Sequence, residues 1–175
     1  KSCPETIDNR KWTEKTNNVL RDSGVLLTLR LFKNKKPLIA AVNGAAVGIG
    51  ATMLLPMDFR ICSEEARFGF VFARRGIVPE AASSWFLPRL VGITKALELC
   101  YSGKIISAKE AEDINLVSEV LPKEQLIDRA LAVANEFTAK SSQISIALTR
   151  QMMWRMLGAD DPMEAHKIDS RGVFE

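Results

Sequence analysis

From Leu38 to Leu55 the chain runs almost without a break through small and apolar residues, and Gly44, Gly48 and Gly50 decide what that run can become. At about 18 residues it just reaches the length at which a membrane-spanning helix has to be weighed, and Gly44-x-x-x-Gly48 has the spacing of a helix-dimerisation face. Asn43 lies inside the run, the three glycines weaken a helix, and no second hydrophobic span exists, so no membrane association is expected. A phosphate-cradling loop fits no better. The glycines match neither G-x-G-x-x-G nor G-x-x-x-x-G-K-[ST], and no lysine follows at the required place. Read alone, the stretch is simplest as small residues that let a short helix pack closely on a strand.

The flanking pattern supports an α/β architecture. Leu38 to Val42 has the character of a strand buried on both faces, Asn43-Gly44 breaks it, and Ala45 to Leu55 reads as a glycine turn and helix closed by Pro56. Asp58 to Ser63 alternates as a strand, and Ala66 to Gly69 suggests another. A helix is predicted over Pro79 to Leu90, with Pro79 in its first turn and Pro88 and Gly92 ending it. Thr94 is read as the cap of a helix running to Ser102, stopped by Gly103, and Ser107 with Glu110 forms a capping box. Asn115 is placed in the left-handed conformation that closes the next helix, before a strand at Val117 to Leu121. Helical periodicity follows over Lys123 to Ala139, over Ser142 to Met156 and from Pro162 onward. Upstream, Thr13 to Phe32 favours a helix over at least its second part, with Gly24 weakening it.

Composition narrows the chemistry. The net charge of +3 is spread over 24 basic and 21 acidic residues with no long run of either sign, so no nucleic-acid footprint is expected. Cys3, Cys62 and Cys100 form no CxxC pair, which argues against a disulfide framework and a zinc site and fits a cytoplasmic protein without a metal. His166, the one histidine, lies in a polar stretch near the C-terminus, so acid-base chemistry has to be sought among carboxylates. The chain starts at Lys1 without a methionine or signal-peptide pattern and stops at Phe174-Glu175 without a cap. A fragment of a longer protein is expected, with part of the site outside it.

The motifs A-A-V-N-G-A-A-V-G-I-G-A, D-F-R-I-C-S-E-E-A-R-F-G and G-I-V-P-E, in that order, resemble the crotonase superfamily of enoyl-CoA hydratases and isomerases. S-G-K-I-I-S-A-K-E-A and N-L-V-S-E-V-L-P extend the resemblance. Asn115 stands where the family usually has glycine, a departure that asparagine's tolerance of the left-handed region makes harmless. The resemblance implies a repeated ββα superhelix over residues 1–120 with its N-terminal part missing, then a helical region over 121–175 that packs in trimers, often paired into hexamers. It implies an acyl-CoA thioester as substrate and partner, with no cofactor beyond the coenzyme A the substrate carries.

The resemblance also assigns residues. The thioester carbonyl of the family sits between two backbone N–H groups, one of which corresponds to Ile49 in Gly48-Ile49-Gly50. Enolate chemistry pushes negative charge onto that oxygen, and a fixed donor aimed at it contributes about 3 to 4 kcal/mol. Ala46, Val47, Gly48, Thr52, Phe72 and Trp85 are implied to line the acyl pocket, although Trp85, Phe86 and Leu90 at helical spacing read most simply as core. The two glutamates with which family hydratases hold water correspond to Thr52 and Phe72, so two-glutamate hydration is not expected. Glu80, after Gly76-Ile77-Val78-Pro79, matches the single acidic base of some family enoyl-CoA isomerases.

Glu80 has a bland reading as well, because acidic residues are common in the first turn of a helix, where the dipole favours the charged form. A base there needs apolar walls to restore its proton affinity, and Phe72, Val78 and Trp85 are candidates. Ser83 and Ser84 lack a histidine partner, and Lys35, Lys36, Arg74 and Arg75 read as solvated surface that could reach coenzyme A phosphates. The leading expectation is a Δ3,Δ2-enoyl-CoA isomerase. A hydratase or hydrolase of the same family is the enzyme alternative, and a non-catalytic acyl-CoA-binding subunit is the alternative from a different class.

Overall fold

The computed structural model describes residues 22–174, together with the backbone of 15–16 and 19–20. Strands β1 (Lys15–Thr16) and β2 (Val19–Leu20) pair antiparallel ahead of helix α1 (Ser23–Phe32). The helix expected within 13–32 therefore occupies only the second part of that range. Its start is set by Asp22, whose carboxylate accepts the Val25 amide at 2.8 Å.

Two strand-strand-helix turns then stack on each other. Strands β3 (Ile39–Val42) and β4 (Ala45–Val47) with helix α2 (Ile49–Thr52) form the first, and β5 (Phe59–Ser63), β6 (Arg67–Gly69) and helix α3 (Ser83–Val91) form the second. Ile39 pairs in parallel with Phe59, and Ala45 with Arg67, so one turn of the superhelix lies directly over the next. Helices α4 (Ile93–Ser102) and α5 (Ala108–Asp113) flank β7 (Ile105–Ser107), which closes the second sheet antiparallel to β6. Strand β8 (Glu119–Leu121) extends the first sheet in parallel beside β5. The sheet orders are β3-β5-β8 and β4-β6-β7, with buried Ile61, Phe68, Phe70 and Ile106 in the core they share with α3 and α4.

Local signals with all their partners nearby are realised. The Ser107 amide donates to the Glu110 carboxylate at 2.8 Å and the Glu110 amide to the Ser107 hydroxyl at 3.2 Å. Asn115 lies at φ 60° and Gly103 at φ 55°. Four expectations need correction. Ala45–Val47 is a strand, because pairing with β6 outweighs alanine's weak strand preference. Strand β3 is fully buried only at Ala40, since among the described residues it stands at the edge of its sheet. Gly92, at φ 78° and with no side-chain cap, precedes α4 in place of Thr94. Helix α3 starts at Ser83, not at Pro79, and continues through Pro88 to Val91.

Helices α6 (Leu126–Thr138), α7 (Gln143–Met156) and α8 (Pro162–Phe174) complete the described chain. Arg150 on α7 fixes the helical region to the core. Its buried guanidinium donates to Asp58 Oδ2 at 2.7 Å, to the Phe32 carbonyl at 2.8 Å and to the Pro56 carbonyl at 3.1 Å. It thus supplies a donor and a positive charge to the C-terminal end of α1, where helix carbonyls lack partners. Trp154, one turn later, donates to Asp58 Oδ1 at 3.1 Å and stacks edge-on against Phe32.

Candidate active site

The turn between β4 and α2 begins with Gly48 at φ 60° and ψ −126°, a conformation that side chains exclude. Its amide donates to the Gly69 carbonyl on β6 at 3.2 Å, which fixes the turn to the neighbouring strand. Ile49 is the first residue of α2, so its amide has no carbonyl one turn earlier to bond.

Glu80 approaches this turn from an irregular segment ahead of α3. The two residues after it, Ala81 and Ala82, adopt φ 55° and 58°, left-handed values that cost a non-glycine residue about 1 to 2 kcal/mol each. Glu80 is therefore outside the first turn of α3, and the helix-dipole reading of it does not hold. Instead its own carbonyl caps the helix, accepting the Ser83 amide at 2.9 Å and the Ser83 hydroxyl at 2.6 Å. Helix α1 holds the strained link. Ala81 is fully buried, its amide donates to Asp22 Oδ2 at 3.3 Å, and its carbonyl accepts the Thr28 hydroxyl at 2.9 Å.

Glu80 and Ile49 line one cavity of about 270 Å³ together with Val47, Gly48, Phe72 and Ile77. Arg75 also borders it, so among the described residues one cation and one carboxylate stand in an otherwise apolar wall. Thr52 lies fully buried, and its hydroxyl sits 3.3 Å from Glu80 Oε1. Burial, followed by the nearby charge of Asp22, pushes the Glu80 carboxyl above its ordinary value of 4.5, while the Thr52 hydrogen bond draws it partly back. A carboxylate with raised proton affinity in an apolar cavity is suited to abstracting and returning a proton.

Of the residues singled out in the sequence, Val47, Gly48, Ile49, Phe72 and Glu80 meet at this cavity, with Thr52 in contact with Glu80. Ala46 is 4% exposed and belongs to the core. Trp85 lies elsewhere, in an aromatic cluster with Phe32, Phe86 and Trp154, and Arg89 stacks over its ring at 4.0 Å. Val78 is 78% exposed and borders a separate apolar cavity, so neither residue walls Glu80. Sequence reasoning missed Asp22 and Thr28. Asp22 carries a helix-start signal, but nothing local links it to Ala81.

Two stacked ββα turns with a glycine turn facing a carboxylate across an apolar cavity define an α/β superhelix of the crotonase fold. The profile of the Enoyl-CoA hydratase/isomerase family matches residues 6–171, and the chain belongs to that family. It is 42% identical over 161 residues to the enoyl-CoA hydratase ACTT3 of Alternaria alternata, a match covering 91% of this chain and 54% of that protein. The chain thus spans about half the length of this relative. The crystal structure of a probable enoyl-CoA hydratase/isomerase from Mycobacterium abscessus superposes with a TM-score of 0.82 at 31% identity, covering 87% of this chain and 58% of that one. A monofunctional enoyl CoA isomerase from M. smegmatis gives a TM-score of 0.74 at 33% identity, with coverage of 83% and 68%.

Proposed function

We propose that this chain carries the acyl pocket of an enoyl-CoA isomerase in which Glu80 is the single base. The observation that carries the reading is the shared cavity of Ile49 and Glu80, whose walls are mainly apolar. Glu80 removes a proton from C2 of a 3-enoyl thioester, electrons shift to give a dienolate, and the same carboxyl group returns the proton at C4. The Ile49 amide is one donor to the oxygen on which charge develops, and a fixed donor of this kind lowers the barrier by about 3 to 4 kcal/mol. No cofactor is required beyond the coenzyme A that the substrate carries.

The name of the Alternaria alternata relative favours hydration as the alternative. Thr52 and Phe72 oppose it. The first is engaged with Glu80 and the second is 2% exposed and apolar, so the described residues offer the cavity one carboxylate where water activation of the family type uses two. Apolar side chains at Leu131, Ile144 and Met153 stand exposed on α6 and α7, which supports self-association of this helical region into trimers or hexamers.

The test is a product analysis with the full-length protein. Conversion of a 3-enoyl-CoA to the 2-enoyl-CoA is expected at least about 100-fold faster than hydration of crotonyl-CoA. Rapid hydration of crotonyl-CoA would overturn the isomerase reading, and activity on neither substrate would favour a non-catalytic acyl-CoA-binding subunit.

A further inference from the structure

We propose that Asp22 and Thr28 of helix α1 are positioning residues that set where the Glu80 carboxylate stands relative to the Ile49 turn. The inference rests on Glu80 being the base.

Three observations converge on it. Ala81, directly after Glu80, is buried and left-handed, and its amide and carbonyl bond to Asp22, which caps α1, and to Thr28 within α1. A buried amide and carbonyl need partners, and a left-handed alanine returns to an ordinary conformation unless its surroundings hold it. Thr28 is itself fully buried and faces three carbonyl acceptors, those of Gly24 at 3.4 Å, Val25 at 3.2 Å and Ala81 at 2.9 Å. A hydroxyl has one proton to donate, and the shortest contact leads out of the helix to the segment carrying Glu80.

The same helix touches the opposite side of the site. A Cβ placed on Gly24 would stand 2.8 Å from Ile49 Cδ1 and 3.1 Å from Ala81 Cβ, so the α1 backbone is wedged between the glycine turn and the Glu80 segment. Helix α1 is therefore a common reference for both halves of the cavity: sterically for Ile49, and by two hydrogen bonds for the residue after Glu80. Asp22 adds a charge to this role. Across the site Glu80 faces Asp22 from α1, the Thr52 hydroxyl from α2 and Arg75 from the turn after β6.

The experiment compares Asp22→Asn, Thr28→Val, Thr28→Ser and Glu80→Gln in the full-length protein. Asn caps a helix as well as Asp does, so Asp22→Asn keeps α1 but removes the charge and the second acceptor oxygen. Loss of the Ala81 contact is expected to lower kcat about 3- to 10-fold in Asp22→Asn and in Thr28→Val, with KM within about twofold. Thr28→Ser, which keeps the hydroxyl, should restore kcat. The acid limb of the rate profile should move to lower pH in Asp22→Asn and stay in place in Thr28→Val. Wild-type kcat and pH profile in Asp22→Asn would overturn the inference, whatever Thr28→Val does to folding. If Glu80→Gln is inactive in that case, the reading of Glu80 as base stands and only the positioning role falls. An active Glu80→Gln would instead remove the base itself.

Discussion

The Thr52 hydroxyl is placed 3.3 Å from Glu80 Oε1 and 3.4 Å from the Ile49 carbonyl, between the proposed base and the turn that carries the proposed oxyanion donor. With one proton to donate, it serves one of these acceptors at a time. It stabilises the charged form of Glu80 when turned toward it, and in the proposed mechanism it is free to turn back to Ile49 once Glu80 holds the substrate proton.

Thr52→Val removes this donor while keeping the side-chain shape. Glu80 should then bind its proton more tightly, moving the acid limb of the rate profile to higher pH and lowering kcat at acidic pH by about 3- to 10-fold. Steady-state rates across the acid limb for both proteins check this.

Stability should depend on Glu80 in the opposite sense to an ion-paired carboxylate. Its folded value lies above 4.5, so between 4.5 and that raised value the folded state holds more of the proton than the unfolded state does. The contribution is present in full below the unfolded value and is lost as pH rises through the folded one. Glu80→Gln has no such loss. Thermal unfolding should show the variant gaining on the wild type as pH is raised from below 4.5 to neutrality.

Phe72 is 2% exposed and borders both the Glu80 cavity and the neighbouring apolar one formed with Leu87, Ala96 and Leu97. Phe72→Ala should cost about 3 to 5 kcal/mol of stability in urea unfolding, the range for truncating a buried aromatic ring. Its loss also joins the two cavities, so binding of longer acyl-CoA thioesters should weaken less than binding of short ones.

Arg150→Met removes the donor that serves Asp58 and the carbonyls of Phe32 and Pro56. Leaving the Asp58 carboxylate without its cation should destabilise the protein by about 3 kcal/mol. Asp58 is partly exposed, with 22% of its side chain accessible, which limits the effect to that size. Chemical denaturation measures it.

What was legible in the sequence follows the range of the forces involved. The Ser107–Glu110 box and the left-handed Asn115 are decided within a few residues and were readable as such. The motif series also led to the fold and to the meeting of Gly48, Ile49 and Glu80 at one cavity. Glu80's true surroundings were not readable. Pro79-Glu80-Ala81-Ala82 has the local character of a helix start, and contacts from Asp22 and Thr28, distant in sequence, hold it open instead. Trp85 divides the two kinds of signal: its helical spacing with Phe86 and Leu90 reads as core, which its packing on Phe32 and Trp154 agrees with, whereas the pocket role came from the resemblance alone.

The most direct test of the central claim is the rate at which Glu80→Gln in the full-length protein converts a 3-enoyl-CoA to the 2-enoyl-CoA. With Glu80 as the only base, kcat should fall at least about 100-fold while the folded state and acyl-CoA binding persist. A variant that isomerises at the wild-type rate would contradict the account.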